Sequence, residues 1–170
     1  MSTLYAIDPG TTHSAIVSVH GESVVPLGIW HNALAALYLR ERPKTGRHLV
    51  IEKVESFGMP VGVEVFETVY WSGRFAEAWD MGEGHEVSRI GRKAVKLALC
   101  GTVKAKDANI RQALIDRYGG PQCVKKGGPL AGIKSHLWAA LALAVTYQDG
   151  SALSTDAKAQ LLACEEGETR

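Results

Sequence analysis

The chain has 170 residues, of which 46% are apolar and 22% charged, and its formal net charge is +1. This length and composition are typical of about one globular domain, and they exclude a disordered or fibrous protein. No apolar run approaches the roughly 20 residues that span a bilayer, and the three cysteines lack metal-ligand spacing, so we expect no membrane contact and a cytoplasmic, reducing location.

The N-terminal residues predict a β-hairpin and a third strand. An apolar run at residues 4–7 leads into Asp8, and residues 9–12 have the composition of a turn. Residues 13–19 resume a β-rich pattern, and a further strand is predicted at residues 24–29. Asp8 is therefore expected where the first strand ends.

A helix and a buried strand follow. Asn32 is placed to cap a helix that runs to Leu39, and the predicted apolar side of this helix consists of Leu34, Leu37 and Tyr38. Residues 48–53 contain a continuous apolar stretch, which indicates a strand covered on both faces. This strand delivers Glu52 at its end.

The second half of the chain is predicted to be mainly helical. A long amphipathic helix is expected at residues 63–79, with Val65, Phe66 and Val69 at helical spacing. The remaining predictions are a strand at residues 87–90 and helices at residues 91–99, 107–118 and 133–147. Residues 149–170 form a polar, acidic tail that we expect to be partly disordered.

Four side chains are candidates for catalysis. If the strands that end in Asp8 and Glu52 are neighbours, both carboxylates project from one end of the sheet within reach of a divalent cation. His136, near the start of the last helix, is a candidate third metal ligand, and Asp107 is a candidate fourth catalytic group. Such a set suits phosphodiester cleavage, because metal ions can activate water and stabilise the leaving oxygen.

Each of these residues also has a purely structural interpretation. Asp8 could cap a turn, and Glu52 could form a surface ion pair. His136 could be a capping or core histidine, and Asp107 could stabilise a helix N-terminus through the helix dipole. The sequence alone leaves these alternatives open.

Basic residues are concentrated between residues 89 and 134, where eleven lysines and arginines accompany two acids. Such an excess is typical of a surface that faces a polyanion, although solvated helix faces are the alternative. The candidate contacts to DNA in this stretch are Arg92, Lys93, Lys96, Lys104, Lys106, Arg111 and Lys134.

Three segments together resemble the RuvC-like Holliday junction resolvases, particularly their compact phage members. These are residues 6–12 (AIDPGTT), 50–54 (VIEKV) and 135–142 (SHLWAALA), and the resemblance extends over roughly residues 4–147. It implies an α/β, RNase H-like fold, with a five-stranded mixed sheet and helices on both faces, formed by residues 1–148. It also implies a homodimer that resolves four-way DNA junctions in the cytoplasm of a bacterial or phage-infected cell, with Mg²⁺ or Mn²⁺ as cofactor and two ions in each active site.

The resemblance assigns roles to individual residues. Asp8 and Glu52 match the first two family acids, and His136 falls on an acid-or-histidine ligand position. Ala139 is a departure, because the family commonly has an aspartate there.

Phe57 matches an aromatic that wedges against bases at the crossover, with a core phenylalanine as the alternative. The dimer surface implied is the helix at residues 63–79, through Tyr70, Trp71 and Phe75, although such aromatics could also be core residues.

Three other functions fit parts of the sequence. A less selective nuclease for branched DNA could carry the same residues. The departure at Ala139 is also compatible with a catalytically weakened protein that only binds junctions. An actin-like ATPase could contain the turn after Asp8, but it would need a second subdomain and a second phosphate loop that this length hardly accommodates.

Overall fold

The computed structural model describes residues 2–55, 60–81, 85 and 87–150. Five strands form one mixed sheet in the order β3-β2-β1-β4-β5. The strands are β1 Thr3–Asp8, β2 His13–His20, β3 Ser23–His31, β4 Arg47–Lys53 and β5 Val87–Gly91.

Five α-helices and a short 3₁₀ helix accompany this sheet in the described part of the chain. They are α1 Asn32–Glu41, α2 Val63–Asp80, α3 Arg92–Cys100, α4 Asp107–Arg117, the 3₁₀ helix Gly120–Val124, and α5 at residues 137–150. None of the described helices is long and apolar enough to cross a membrane.

The strand pairing brings the two predicted acidic strand ends together. β1 pairs antiparallel with β2 and parallel with β4, and Ile7 lies opposite Ile51 in the parallel register. Asp8 and Glu52, one residue further along each strand, therefore lie at the same end of the sheet. The predicted mixed five-stranded sheet is confirmed.

Apolar side chains that alternate along the strands cover both faces of the sheet. On one face, Tyr5 and Ile7 pack with buried residues of α1 and α2. On the other face, Leu4 and Ala6 pack with buried residues of α3, α4 and α5. This alternation follows from the period of two along a strand. The prediction of helices on both faces is confirmed.

The predicted apolar side of α1 is wrong. Leu34 and Leu37 are 61% and 53% exposed, whereas Ala35 and Leu39 are fully buried. Both sets have helical spacing, and the small side chain of Ala35 allows the close packing that a leucine would prevent. Only Tyr38 of the predicted side packs partly against the core.

The predicted cap of α1 is also different. The cap is His31, whose Nδ1 accepts a hydrogen bond from the backbone N–H of Ala33 at 3.3 Å. Asn32 is the first helical residue and is fully buried, because its side chain turns inward to the loop after β1.

The helix at α2 is confirmed, but its buried residues are not those predicted. Phe66 is 63% and Val69 50% exposed, and Val65 is only partly buried. The buried residues of α2 all lie in its second half and are Ser72, Phe75, Ala78 and Trp79. The apolar pattern of the first half therefore belongs to a surface that no described part of the chain covers.

The last helix begins later than predicted. Residues 133–136 precede the helix, and Ser135 has a φ of +48° in the left-handed region. A residue in that conformation cannot continue an α-helix. The carbonyl of His136 accepts hydrogen bonds from the N–H groups of Ala139 and Ala140 at 3.0 and 3.2 Å, so His136 lies at the start of α5.

Candidate active site

Two carboxyl groups meet at the end of β1 and β4. Asp8 and Glu52 have side chains only 14% and 18% exposed, and the two carboxyls are near enough to shift each other's pKa. Burial, followed by the negative charge of Asp8, raises the pKa of Glu52 from 4.5 to about 8. Burial also raises the pKa of Asp8, although the interaction with Glu52 and the charge of Arg92 act in the opposite direction. Burial therefore disfavours the charged form of both carboxyls.

A buried polar network fixes the turn that follows Asp8. Ser14 Oγ accepts from the N–H of Gly10 at 3.1 Å and donates to Asn32 Oδ1 at 2.7 Å. Asn32 Nδ2 donates to the carbonyl of Gly10 at 2.9 Å. A Cβ on Gly10 would collide with the carbonyl oxygen of His13, so the turn requires glycine. The network ties the backbone beside Asp8 to β2 and α1.

His136 approaches the carboxyl pair from the loop before α5. Its Nδ1 lies 3.1 Å from Asp8 Oδ2 and donates a hydrogen bond to it. The imidazole is 73% exposed, so it is not a core histidine. The structure thus brings together three of the predicted residues, which lie 44 to 128 positions apart in the chain.

Arg92 links Asp107 to this group. Its Nη2 donates to Asp107 Oδ1 at 2.6 Å, and its Nη1 lies 3.9 Å from Glu52 Oε1. Asp107 is the first residue of α4, and its side chain is largely exposed. Asp107 is therefore beside the carboxyl pair, with the guanidinium of Arg92 between it and Glu52.

These residues line a cleft of about 580 Å³ at the end of the sheet. Its acidic part contains Asp8, Glu52 and Asp107 together with His136 and Arg92. The rest of its lining consists of Ala108, Ile110, Arg111, Ser135, Trp138 and Ala139. The volume is within the range of clefts that bind small ligands, and one nucleotide is of that size.

The predicted DNA-binding residues are distributed unevenly around this cleft. Arg92 and Arg111 line it directly. The described lysines of the set do not belong to its lining, and these are Lys93, Lys96, Lys104, Lys106 and Lys134. Four of these five are exposed and Lys96 is partly buried. Phe57, the predicted wedge, lies outside the described residues.

The side chains at the centre of the cleft are of the types that bind hard divalent cations. Within the described residues, no group of three or more His, Cys, Asp or Glu side chains is already arranged to hold a metal ion. The cleft contains a buried carboxyl pair, in which the pKa of Glu52 is raised to about 8, beside an accessible imidazole. A cation would favour the ionised form of both carboxyls, and oxygen ligands with one imidazole suit Mg²⁺ and especially Mn²⁺.

Sequence reasoning missed three parts of the site. The network of Ser14 and Asn32 was missed because Asn32 also matches a helix cap. The contact of Arg92 with Glu52 was missed because a guanidinium beside a carboxylate depends on tertiary packing. Trp138 belongs to a segment that resembles the family, but no role was predicted for it. Its place in the cleft follows from the start of α5 after His136.

Comparison with known proteins identifies the fold. The sequence matches no protein-family model and no curated protein sequence. A structure of Thermus thermophilus RuvC in complex with a Holliday junction substrate superposes with a TM-score of 0.66 at 22% identity, and covers 91% of this chain and 98% of that chain. A second T. thermophilus RuvC structure gives 0.64 at 20% identity, with 90% and 97% covered. The chain therefore has the RuvC fold, of the RNase H-like type, and the resemblance noted in the sequence is confirmed at this level.

Proposed function

We propose that this protein is a metal-dependent endodeoxyribonuclease that resolves four-way DNA junctions. The observation that carries the proposal is the buried pair of Asp8 and Glu52 beside the accessible imidazole of His136, at one end of a RuvC-type sheet. Two carboxyls buried at the ends of neighbouring strands reduce the stability of the metal-free protein. Such an arrangement is typical of functional sites.

Asp8, Glu52 and His136 would hold Mg²⁺ or Mn²⁺, with two ions in each site as the resemblance to RuvC implies. Such ions lower the pKa of a bound water and stabilise the charge that develops on the leaving oxygen. Asp107 would assist from the far side of Arg92, since no carboxylate is present at Ala139.

The protein's own residues would bind and orient the DNA strand. Arg92 and Arg111 bring positive charge into the cleft, where they can bind phosphate oxygens. The hydrogen bond from His136 Nδ1 holds the Asp8 carboxylate in one orientation. The lysines outside the cleft would contact flanking phosphates, which makes binding strongly dependent on salt.

Branched DNA as the substrate is supported by the fold of the T. thermophilus protein that was solved with a Holliday junction. A homodimer would place two active sites on one junction, because a two-fold axis matches the symmetry of the substrate. The exposed apolar side chains of α2 are candidates for its interface, and they include Phe66, Val69 and Tyr70. Phe75, which the sequence analysis assigned to this surface, is fully buried inside the protomer.

A second candidate function is junction binding with little or no cleavage. Ala139 favours it, since this residue lines the cleft without offering a metal ligand. A nuclease that cuts several kinds of branched DNA is a third possibility, with the same residues in the same roles. The junction-binding protein differs from the main proposal in its metal binding. The less selective nuclease differs in the range of DNA that it cuts.

Comparing the wild type with Asp8→Asn separates a nuclease from a protein that only binds junctions. We expect Mn²⁺ to raise the melting temperature of the wild-type protein and to support nicking of a four-way junction. The variant should lose both effects and still bind the junction, because the carboxylate is replaced by an isosteric amide. Wild-type protein that binds junctions without metal-dependent stabilisation or nicking would favour the binding protein instead.

A further inference from the structure

The cleft has a second part, to which the proposed chemistry assigns only a phosphate contact of Arg111. Next to the carboxyl pair, its lining includes Trp138, Arg111 and Ile110. Neither the metal ligands nor a phosphate contact requires a tryptophan.

Trp138 is held firmly and still reaches the cleft. It packs against the buried cluster formed by α4, α5 and one face of the sheet, and it is only partly buried. It lines the same cleft as His136, whose imidazole contacts Asp8. A rigid aromatic group at such a place loses little side-chain entropy when it binds a ligand.

Arg111 completes a platform with this ring. Its Cζ lies 5.0 Å from the centroid of the Trp138 ring, which is a cation–π contact. Nucleobases stack on indole rings and on guanidinium planes alike. Ala139, the next residue of α5, also lines this cleft and has only a methyl group.

We propose that Trp138 and Arg111 bind the base of the nucleotide next to the scissile phosphate. This inference rests on the proposed function and specifies which substrate fits the site. A base inside a stacked duplex cannot present its face to the ring, whereas a base displaced at a branch point can. The platform would therefore select a strand whose nucleotide beside the cut is unstacked.

The test uses the full chain with Asp8→Asn, which removes cleavage, and four-way junctions that carry 2-aminopurine at single positions around the branch point. We expect its fluorescence to be quenched on binding at one position. Adding Trp138→Phe should keep most of the quenching, and adding Trp138→Leu, which keeps apolar bulk against the core, should abolish it.

A missing base at that position gives a second readout. We expect it to weaken binding to the Asp8→Asn protein by about tenfold, which is the loss expected for one base–aromatic stack, and to have little effect once Trp138→Leu is present. Equal weakening in both proteins, or quenching that Trp138→Leu does not change, would overturn the inference.

Two further results keep the test decisive. If Trp138→Leu does not fold, Trp138→Met replaces it, because an unbranched apolar side chain adapts to the space against the core, and the same loss of quenching is expected. Failure of the platform alone leaves junction binding intact, whereas failure of the proposed function removes junction binding or leaves the metal-dependent nicking absent from the wild type.

Discussion

At the scale of single residues, the central feature is that Asp8 and Glu52 are close, buried and of like charge. Burial, followed by the negative charge of Asp8, disfavours the ionised form of Glu52 and raises its pKa. Burying such a pair costs stability, because both carboxyls lose solvation and repel each other when ionised. A counter-charge at this place would offset that cost.

This cost should appear as a pH dependence of the metal-free protein. The pKa of Glu52 is raised from 4.5 to about 8 in the folded state, so its stabilising contribution is complete below about pH 4.5 and is lost as the pH rises through about 8. In EDTA, we expect Glu52→Gln to melt at a higher temperature than the wild type, by a margin that grows between pH 5 and pH 9.

A matched control is Glu64→Gln, which changes an exposed glutamate of α2. It should leave the wild-type pH profile in place. Parallel melting profiles for the wild type and Glu52→Gln across this range would contradict the burial of a like-charged pair. Added Mn²⁺ should reduce the difference, because the ion stabilises the wild type more than the amide variant.

Substitution of Ala139 tests whether a carboxylate at this position would add a metal ligand. It lines the cleft three residues after His136, which places both residues on the same face at the start of α5. We expect Ala139→Asp to increase the rise in melting temperature that Mn²⁺ produces, since a third carboxylate joins the site. Ala139→Asn is the control, and an equal rise in both variants would mean that position 139 does not reach the metal.

At the scale of elements, the strands were predictable and the helix faces were not. β1 and β4 each contain a short apolar run followed at once by an acid, Asp8 in β1 and Glu52 in β4, and this pattern has few alternatives. In α1 and α2, two apolar sets share helical spacing, and only packing against the sheet selects between them. The start of α5 depends on the left-handed backbone of Ser135, which its sequence does not specify.

The exposed half of α2 gives a prediction about assembly. Phe66 and Val69 form part of an apolar surface that a partner protomer would cover. We expect the wild type to sediment as a dimer and Phe66→Glu to sediment as a monomer, because a charge cannot be buried unpaired in such an interface. Leu97→Glu, on α3 and 56% exposed in the wild type, should remain dimeric. A monomeric wild type would exclude this interface.

At the scale of the whole molecule, the site is assembled from distant parts of the chain by the sheet. Parallel pairing of β1 with β4 brings Asp8 to Glu52. Packing of α5 on the sheet face that carries Leu4 and Ala6 brings in His136. Strand ends and helix order made this meeting predictable. The contacts of Arg92 and the aromatic part of the cleft depend on side-chain geometry between elements, so sequence patterns could not anticipate them.

The most direct test is cleavage of a synthetic four-way junction beside linear duplex and Y-fork DNA of matched sequence. Wild type and Asp8→Asn would each be assayed with Mg²⁺, Mn²⁺ or EDTA. We expect paired, symmetric nicks confined to the junction, which require both a divalent ion and Asp8. Equal cutting of all three substrates would contradict the junction specificity, and cutting by Asp8→Asn or in EDTA would contradict the active site itself.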